Sequence, residues 1–409
     1  MSEPVITVDP NQFQEDGYLI LRNVVPPDQL TELRDSYEVI VDRQRAIWAA
    51  NRAPGDPPGG RWETDGQPRL HFNKLVDSST ANTVDFCLHD NTLGVSKRLM
   101  RAPEVGLHAM FMMCSPQTDY GPGGWHRDTS SKAGAPLNGL AADMIANGPG
   151  HVQWNIALYD DDVLWVVPGS HRRGNTDEEN EQLCRDATVP LPGGKPVELG
   201  AGDGVVYVNF MLHWASNYSS KLRRTLHTGY QSFGGPLYRY FHLWWDLNFT
   251  KCLPSHIRDT FEKWDRCIRH EHDIIESIYR TMINLDDSGF NHSLRELHPG
   301  QIGRLVCVVH LCKLAETIHA LTRSNFNDLS QAEQRAIVRP ENQHLYQDVA
   351  RRFTADEMDM VWQRFRGLDN ALREETIQRV PGRGAHDSYY RIDDMPADFD
   401  LNDFIETWE

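Results

Sequence analysis

A chain of 409 residues, 40% hydrophobic and 10% aromatic, can bury a sizeable core and reads as an ordinary globular protein of one large domain or two. Its 58 acidic against 41 basic residues give a formal charge of −17, with much of the excess in the tail at Asp393-Asp394 and from Asp398 to Glu409. Such a balance argues against a nucleic-acid partner, which needs a basic patch, and is read as solubilising charge.

The remaining exclusions come from single features. Seven cysteines, Cys87, Cys114, Cys184, Cys252, Cys267, Cys307 and Cys312, are odd in number and form no C-x-x-C pair, so they read as reduced core thiols. The opening Met1-Ser2-Glu3-Pro4 has neither the basic start nor the apolar stretch of a secretory signal, and no segment is expected to span a membrane. A cytoplasmic protein with a small-molecule substrate, and with no nucleic-acid or membrane partner, is the expectation.

In chain order, Gly17-Tyr-Leu-Ile-Leu-Arg22 predicts an extended run, and Leu30, Leu33, Tyr37 and Ile40 predict a helix after Pro26-Pro27. Residues 52–69 are rich in Pro and Gly and predict a loop. Short apolar or alternating runs at 105–113, 152–159, 163–167, 205–210 and 224–233 follow, with turns at Gly121-Pro-Gly-Gly124, Pro168-Gly-Ser170 and Pro192-Gly-Gly194. Many short strands of this kind predict an antiparallel sandwich or barrel. Beyond residue 253 the spacing turns helical, through Ile257, Phe261, Trp264 and Ile268 and again through Leu305, Val309, Leu314 and Ile318. The expected division is a strand-rich part over 1–250 and a helical extension over 251–409.

The chemistry concentrates at Gly124-Trp-His-Arg-Asp128. His126 and Asp128 are two apart, so on an extended strand they share a face. His213 ends another apolar strand, and Arg223-Arg224 opens the next. Two imidazoles and a carboxylate on one face of a metal leave other positions open, which is the arrangement of a non-haem Fe(II) oxygenase. An H-x-D by itself is a weak signal, and its bland alternative is a turn carboxylate beside a surface histidine.

Five segments make the pattern specific. They are Asp16-Gly-Tyr-Leu-Ile-Leu-Arg-Asn23, Trp125 to Asp128, Leu164-Trp-Val-Val-Pro-Gly-Ser-His171, Gly202-Asp203, and His213 with Asn217, Ser219 and Arg223-Arg224. In that order they resemble the phytanoyl-CoA dioxygenase family of Fe(II)/2-oxoglutarate oxygenases, over roughly residues 11–250. The resemblance implies a mainly β core, a double-stranded β-helix of the jelly-roll, cupin-like kind, with flanking N-terminal helices and an α-helical C-terminal extension. It implies that His126, Asp128 and His213 bind Fe(II), that 2-oxoglutarate chelates the metal, and that an arginine pairs with the distal carboxylate of this cosubstrate. The family's usual spacing of eleven after the distal histidine selects Arg224. Asn217 and Ser219 stand one residue early, which favours Arg223. By similarity of position Lys74 and Asn155 also touch the cosubstrate, and Ser216 is a further candidate through its hydroxyl.

The implied reaction uses O2 and releases succinate and CO2, with hydroxylation of a substrate C–H bond favoured over halogenation because Asp128 fills the position a halide would take. Desaturation, cyclisation or epimerisation at the same site are the enzymatic alternatives, and a non-catalytic binding barrel is the other class. The aromatic run 238–245 reads as core packing, His270-Glu-His-Asp273 as solvated charge, His171 as a structural turn residue, and residues 130–150 as a lid. The helical extension is expected to cover one side of the barrel, shape the substrate pocket or form a homodimer interface.

Overall fold

The computed structural model describes residues 6–71, 74–102, 104–128, 135–234, 247–323, 328–337, 343–374, 378–380, 390–392, 395–396 and 398–408. The aromatic run 238–245 and the first part of the 130–150 segment lie outside the described residues.

The N-terminal part opens with α1 (Pro10–Asp16), β1 (Tyr18–Leu21), α2 (Leu30–Ala50) and the short α3 (Arg61–Thr64). Asp9 caps α1 by accepting hydrogen bonds from the backbone N–H of Asn11 and Gln12, and Gly17 ends it at φ 83°. That glycine is required twice over, since a Cβ there would lie 2.4 Å from His171 Nδ1. His171 in turn bonds the Gln14 carbonyl through Nε2 at 3.0 Å, and burial lowers its pKa to about 4. It ties the Pro-Gly-Ser turn to α1 and is structural. The stretch 52–69 is not wholly irregular: α3 interrupts it because Trp62 is buried, lying beside Trp48 at 6.2 Å between ring centroids.

Next come β2 (Arg69–Leu70), α4 (Ala81–Cys87), α5 (Val95–Met100), β3 (Glu104–Cys114), β4 (Gly121–Pro122) and α6 (Leu137–Asn147). They are followed by β5 (His151–Ala157), β6 (Asp161–Val166), α7 (Asp177–Arg185), β7 (Lys195–Leu199), β8 (Gly204–Tyr207), β9 (His213–Asn217) and β10 (Arg224–Phe233). Six strands form one antiparallel sheet in the order β1-β8-β5-β10-β3-β2, and four form another in the order β4-β9-β6-β7. Ala157, Val205 and Tyr207 of the larger sheet pack with Leu164, Val166, Val197 and Leu199 of the smaller in one buried cluster. The two sheets therefore face each other around a lumen, consistent with a jelly roll. The outer face of the larger sheet is covered by helices: Trp154 donates to Ser96 Oγ of α5 at 3.0 Å, and Tyr230 donates to the Cys87 carbonyl of α4 at 2.7 Å. With both faces covered, β5 is buried at every position, which is why its sequence shows no clean alternation.

The C-terminal part contains α8 (Ser255–Asn284), α9 (Asp287–Leu297), α10 (Gln301–Arg323), α11 (Gln331–Ile337), α12 (Gln343–Ala350), α13 (Ala355–Glu374) and α14 (Leu401–Glu406), with a ribbon of β11 (Gln378–Val380) and β12 (Tyr390–Ile392). Helix outweighs strand over the described residues, so "mainly β" fits the core and not the whole chain. The expectation that no segment approaches the length of a membrane span is corrected in length and composition only. The 23 residues of α10 are long and apolar enough by length and composition, yet 67% of the apolar window is buried inside the fold, as in a core helix. Half of the cluster His270–Asp273 departs from the solvated reading: His270 and Asp273 are exposed, but Glu271 and His272 are buried, and His272 Nδ1 lies 2.8 Å from Asp348 Oδ2. All seven cysteines are free thiols, but Cys184 and Cys252 are exposed instead of lying in the core.

Candidate metal and cosubstrate site

The metal motif is built by a turn and a bridge. Gly123 and Gly124 lead into Trp125, and His126 pairs with His213 of β9, each backbone N–H donating to the other residue's carbonyl at 2.9 and 3.0 Å. This pairing sets the two rings side by side, 4.4 Å between centroids. On the opposite face Trp125 stacks on Trp214 at 5.1 Å and 7°, an apolar backing that fixes both strands. Asp128 is held by its main chain. Its N–H donates to the Asn209 carbonyl at 2.8 Å, and Asn209 Nδ2 donates back to its carbonyl at 3.0 Å.

The donor atoms of His126, Asp128 and His213 all lie within 4.8 Å of one another. His126 Nε2 is 3.5 Å from Asp128 Oδ1, and His213 Nε2 is 3.3 Å from Asp128 Oδ2. The tautomers follow from the other ring nitrogens. His126 Nδ1 sits 2.9 Å from the Gly124 carbonyl, and His213 Nδ1 sits 3.0 Å from the Met211 carbonyl. A carbonyl oxygen only accepts, so each Nδ1 carries the hydrogen and each Nε2 turns a lone pair toward Asp128. That is the orientation a metal ligand needs, with a backbone carbonyl as its supporting partner. Gln153 Nε2 donates to Asp128 Oδ2 at 3.0 Å and fixes the carboxylate.

Arg127, between the two candidate ligands in sequence, points the other way. It is fully enclosed and donates to the carbonyls of Ser170 and Phe210, both at 2.7 Å, and to Asn175 Oδ1. Burial lowers its pKa to about 9, against the raising influence of Glu179. It locks the turn before β9 and so the placement of His213. A sequence reading centred on ligands passes over Arg127, although its place between His126 and Asp128 puts it on the opposite strand face.

The register sorts the other candidates. Strand β10 pairs Thr225 with Ala157, His227 with Asn155 and Gly229 with Gln153. Because Gln153 reaches Asp128, these residues share the lumen face, and Arg223, two before Thr225, follows them. Its Nε donates to Asp161 Oδ2 and to Thr225 Oγ1, both at 3.0 Å. Nη1 and Nη2 are buried with no hydrogen-bond partner among the described residues. Burial would raise the Asp161 carboxyl, but the Arg223 charge and the hydrogen bonds from Thr225 and the Val163 N–H outweigh it and hold it below the ordinary range. Arg224 faces the helices: Nε lies 2.8 Å from Glu38 Oε1, and the guanidinium stands over Trp62 at 5.9 Å.

Asn155 lies in the lumen, its Oδ1 accepting from His227 Nδ1 at 2.7 Å. Burial, reinforced by the Arg69 charge, lowers the His227 pKa to about 3, so this ring is neutral at ordinary pH. Ser216 is buried on the face of β9 opposite to His213, and Lys74 is exposed. The structure brings neither to the triad. Asn217 shares the His213 face and accepts from Gln67 at 3.1 Å, whereas Ser219 bonds Asp119 at the surface.

Three convergent donors of this kind suit Fe(II), and the twin nitrogens of Arg223 without a partner among the described residues suit a carboxylate. The class these features define is the non-haem iron, 2-oxoglutarate-dependent oxygenase. The model of the phytanoyl-CoA dioxygenase (PhyH) family matches residues 13–225, just over half of the chain, and the chain belongs to that family. Its cofactors are accordingly iron, 2-oxoglutarate and O2. Among solved structures the chain is similar to EctD from S. alaskensis with 2-oxoglutarate and 5-hydroxyectoine, at 17% identity over 63% of this chain and 85% of that one, TM-score 0.41. It is similar to AviO1 from Streptomyces viridochromogenes Tue57, at 21% identity over 56% and 98%, TM-score 0.41. It is also similar to the epimerase SnoN from nogalamycin biosynthesis, at 16% identity over 55% and 80%, TM-score 0.38. No curated protein matches the chain.

Proposed function

We propose that this protein hydroxylates a C–H bond of a small or medium organic molecule, with His126, Asp128 and His213 as iron ligands and Arg223 as the anchor of 2-oxoglutarate. The observation that carries this reading is the pairing of two incomplete sites in one lumen: three converging metal donors, and a buried arginine whose Nη1 and Nη2 lack partners. A guanidinium left in that state is costly to bury, and a carboxylate satisfies both nitrogens through parallel hydrogen bonds.

When bound, the iron with 2-oxoglutarate and O2 supplies the oxidant that breaks a C–H bond, and succinate and CO2 leave. The rest is positioning by the chain. The Gly124 and Met211 carbonyls hold the two imidazoles with Nε2 inward, and Gln153 holds one carboxylate oxygen of Asp128. Asp161 and Thr225 grip Arg223 by its Nε edge and leave the other edge for the cosubstrate. Tyr207, 5.3 Å from His213, and Phe111, 4.5 Å from His227, wall the lumen and exclude water. Asp128 occupies the position that a halide would need, which favours hydroxylation over halogenation.

The test is an anaerobic titration of the metal-free protein with Fe(II) and 2-oxoglutarate, following the visible charge-transfer band. The band is expected only with both added, and is expected to vanish in His126→Ala and His213→Ala. Folded wild-type protein that develops no band would overturn the reading.

A further inference from the structure

Three consecutive carboxylates, Asp160-Asp161-Asp162, stand at the start of β6, and the fold treats them differently. Asp160 is exposed and accepts from the Ala201 N–H at 2.9 Å. Asp162 is exposed and meets Lys221 at the surface. Only Asp161 is buried.

The cause is a bulge. Between Asp161 and Leu164 the chain advances three residues while its partner β7 advances two, from Leu199 to Val197. Strict alternation from Leu164 would send Asp161 to the outer face of the sheet. The extra residue instead sets Asp161 opposite Leu199, which belongs to the cluster between the two sheets. Residues paired across two strands share a face, so Asp161 turns to the lumen side, where Arg223 stands.

The two meet in a one-sided way. Both side chains are buried, 6% and 5% exposed, yet the hydrogen bond to the carboxylate comes from Arg223 Nε alone, at 3.0 Å. Asp161 Oδ2 also accepts from Thr225 Oγ1, and Oδ1 accepts from the Val163 N–H at 3.2 Å. Thr225 closes the triangle, since its hydroxyl accepts from Arg223 Nε at 3.0 Å. An ion pair that serves stability alone is best made by matching both prongs of the guanidinium to both carboxylate oxygens. Here one oxygen holds one edge, and Nη1 and Nη2 have no partner among the described residues.

We propose that Asp161, with Thr225, is a positioning residue that fixes how far Arg223 stands from the metal. It thereby selects the length of the cosubstrate, a five-carbon 2-oxo diacid over its four- and six-carbon homologues. The reasoning is geometric. A chelating 2-oxo acid has one end fixed at the metal, so a rigid anchor for the other end accepts one chain length. An arginine released from Asp161 has a long, jointed stem whose rotamers let its head follow a shorter or longer diacid. This inference rests on the reading of Arg223 as the cosubstrate anchor.

The test titrates the anaerobic Fe(II) protein with oxaloacetate, 2-oxoglutarate and 2-oxoadipate, following the charge-transfer band for each. The wild type is expected to bind 2-oxoglutarate about tenfold or more tightly than either homologue, the usual discrimination for one methylene. In Asp161→Ala that preference is expected to shrink to within about threefold, because 2-oxoglutarate weakens and the homologues do not. Thr225→Val keeps the shape of the side chain and is expected to shrink the preference in the same direction; it decides alone if Asp161→Ala does not fold. A merely structural ion pair would lower the unfolding temperature and leave the ratios of the three affinities as in the wild type. Unchanged ratios in either folded variant, or no preference in the wild type, would overturn the proposal. A wild type that gives no band with any of the three acids would instead overturn the oxygenase reading. Arg223→Met with unchanged 2-oxoglutarate affinity would overturn the anchor itself.

Discussion

Buried polar groups behave differently in the lumen and in the C-terminal helices. In the helices several are paired to each other across elements, although Arg364 Nη1 and Trp408 Nε1 have no hydrogen-bond partner among the described residues. His298 Nε2 of the α9–α10 connection lies 3.3 Å from Asp143 of α6, His272 meets Asp348 of α12, and His319 meets Asp359 of α13. Such pairs hold helices in register. In the lumen, by contrast, Arg223 presents buried polar atoms that no described residue satisfies. A fold tolerates unsatisfied polar atoms where something else is meant to bind. The comparison teaches that burial of a charged or polar residue says little by itself. What marks a site is burial with a missing partner, on a face shared with metal donors.

The largest effect that tests this contrast is loss of a metal ligand. His213→Ala is expected to abolish Fe(II) binding at micromolar metal, measured by metal content after desalting, with the far-ultraviolet circular dichroism unchanged. The neighbouring arginines come next, because they stand on opposite faces of one strand. Arg223→Met is expected to weaken 2-oxoglutarate binding by roughly 10- to 100-fold, the value of a charge-assisted pair, as measured by calorimetry on the Fe(II) protein. Arg224→Met is expected to leave that affinity within about twofold and to lower the unfolding temperature instead, since it loses Glu38 and Trp62. If Arg224→Met is the variant that loses the cosubstrate, the assignment of the two faces is wrong.

In the helical region, Asp143→Ala removes the acceptor of Asn147 and the carboxylate 3.3 Å from His298 Nε2, and is expected to cost about 2 kcal/mol of stability, read by urea unfolding. A pH-dependent effect concerns Glu271, whose pKa is raised by burial from 4.5 to about 8. Its folded state keeps a proton that the unfolded chain has released. The stabilising contribution is therefore complete below pH about 4 and is lost as pH rises through 8. Between pH 5 and 9 the urea midpoint is expected to fall more for the wild type than for Glu271→Gln, and parallel curves would contradict this account.

Much of the architecture could be read along the chain. The helix from Leu30, the short strands from residue 105, and the turn to helix beyond 250 follow from local spacing, because periodicity and turn chemistry act over a few residues. The two-apart spacing of His126 and Asp128 and the apolar strand ending at His213 were equally legible, as was the family pattern around them. The surroundings of Ser216 and Lys74 could not be read from position alone. Ser216 needs the parity of β9 counted from His213, and the exposure of Lys74 depends on packing.

By itself, then, the sequence determined the elements, the family and the three candidate ligands, since each is carried by residues close together or by short motifs. Only the tertiary structure decided which arginine faces the lumen, because a pair of adjacent residues always splits between the two faces and register is set by partner strands. It also decided that Asp161 grips Arg223 across 62 positions. Contacts of that range leave no periodic trace in a chain; they exist only once the sheets have closed around the lumen.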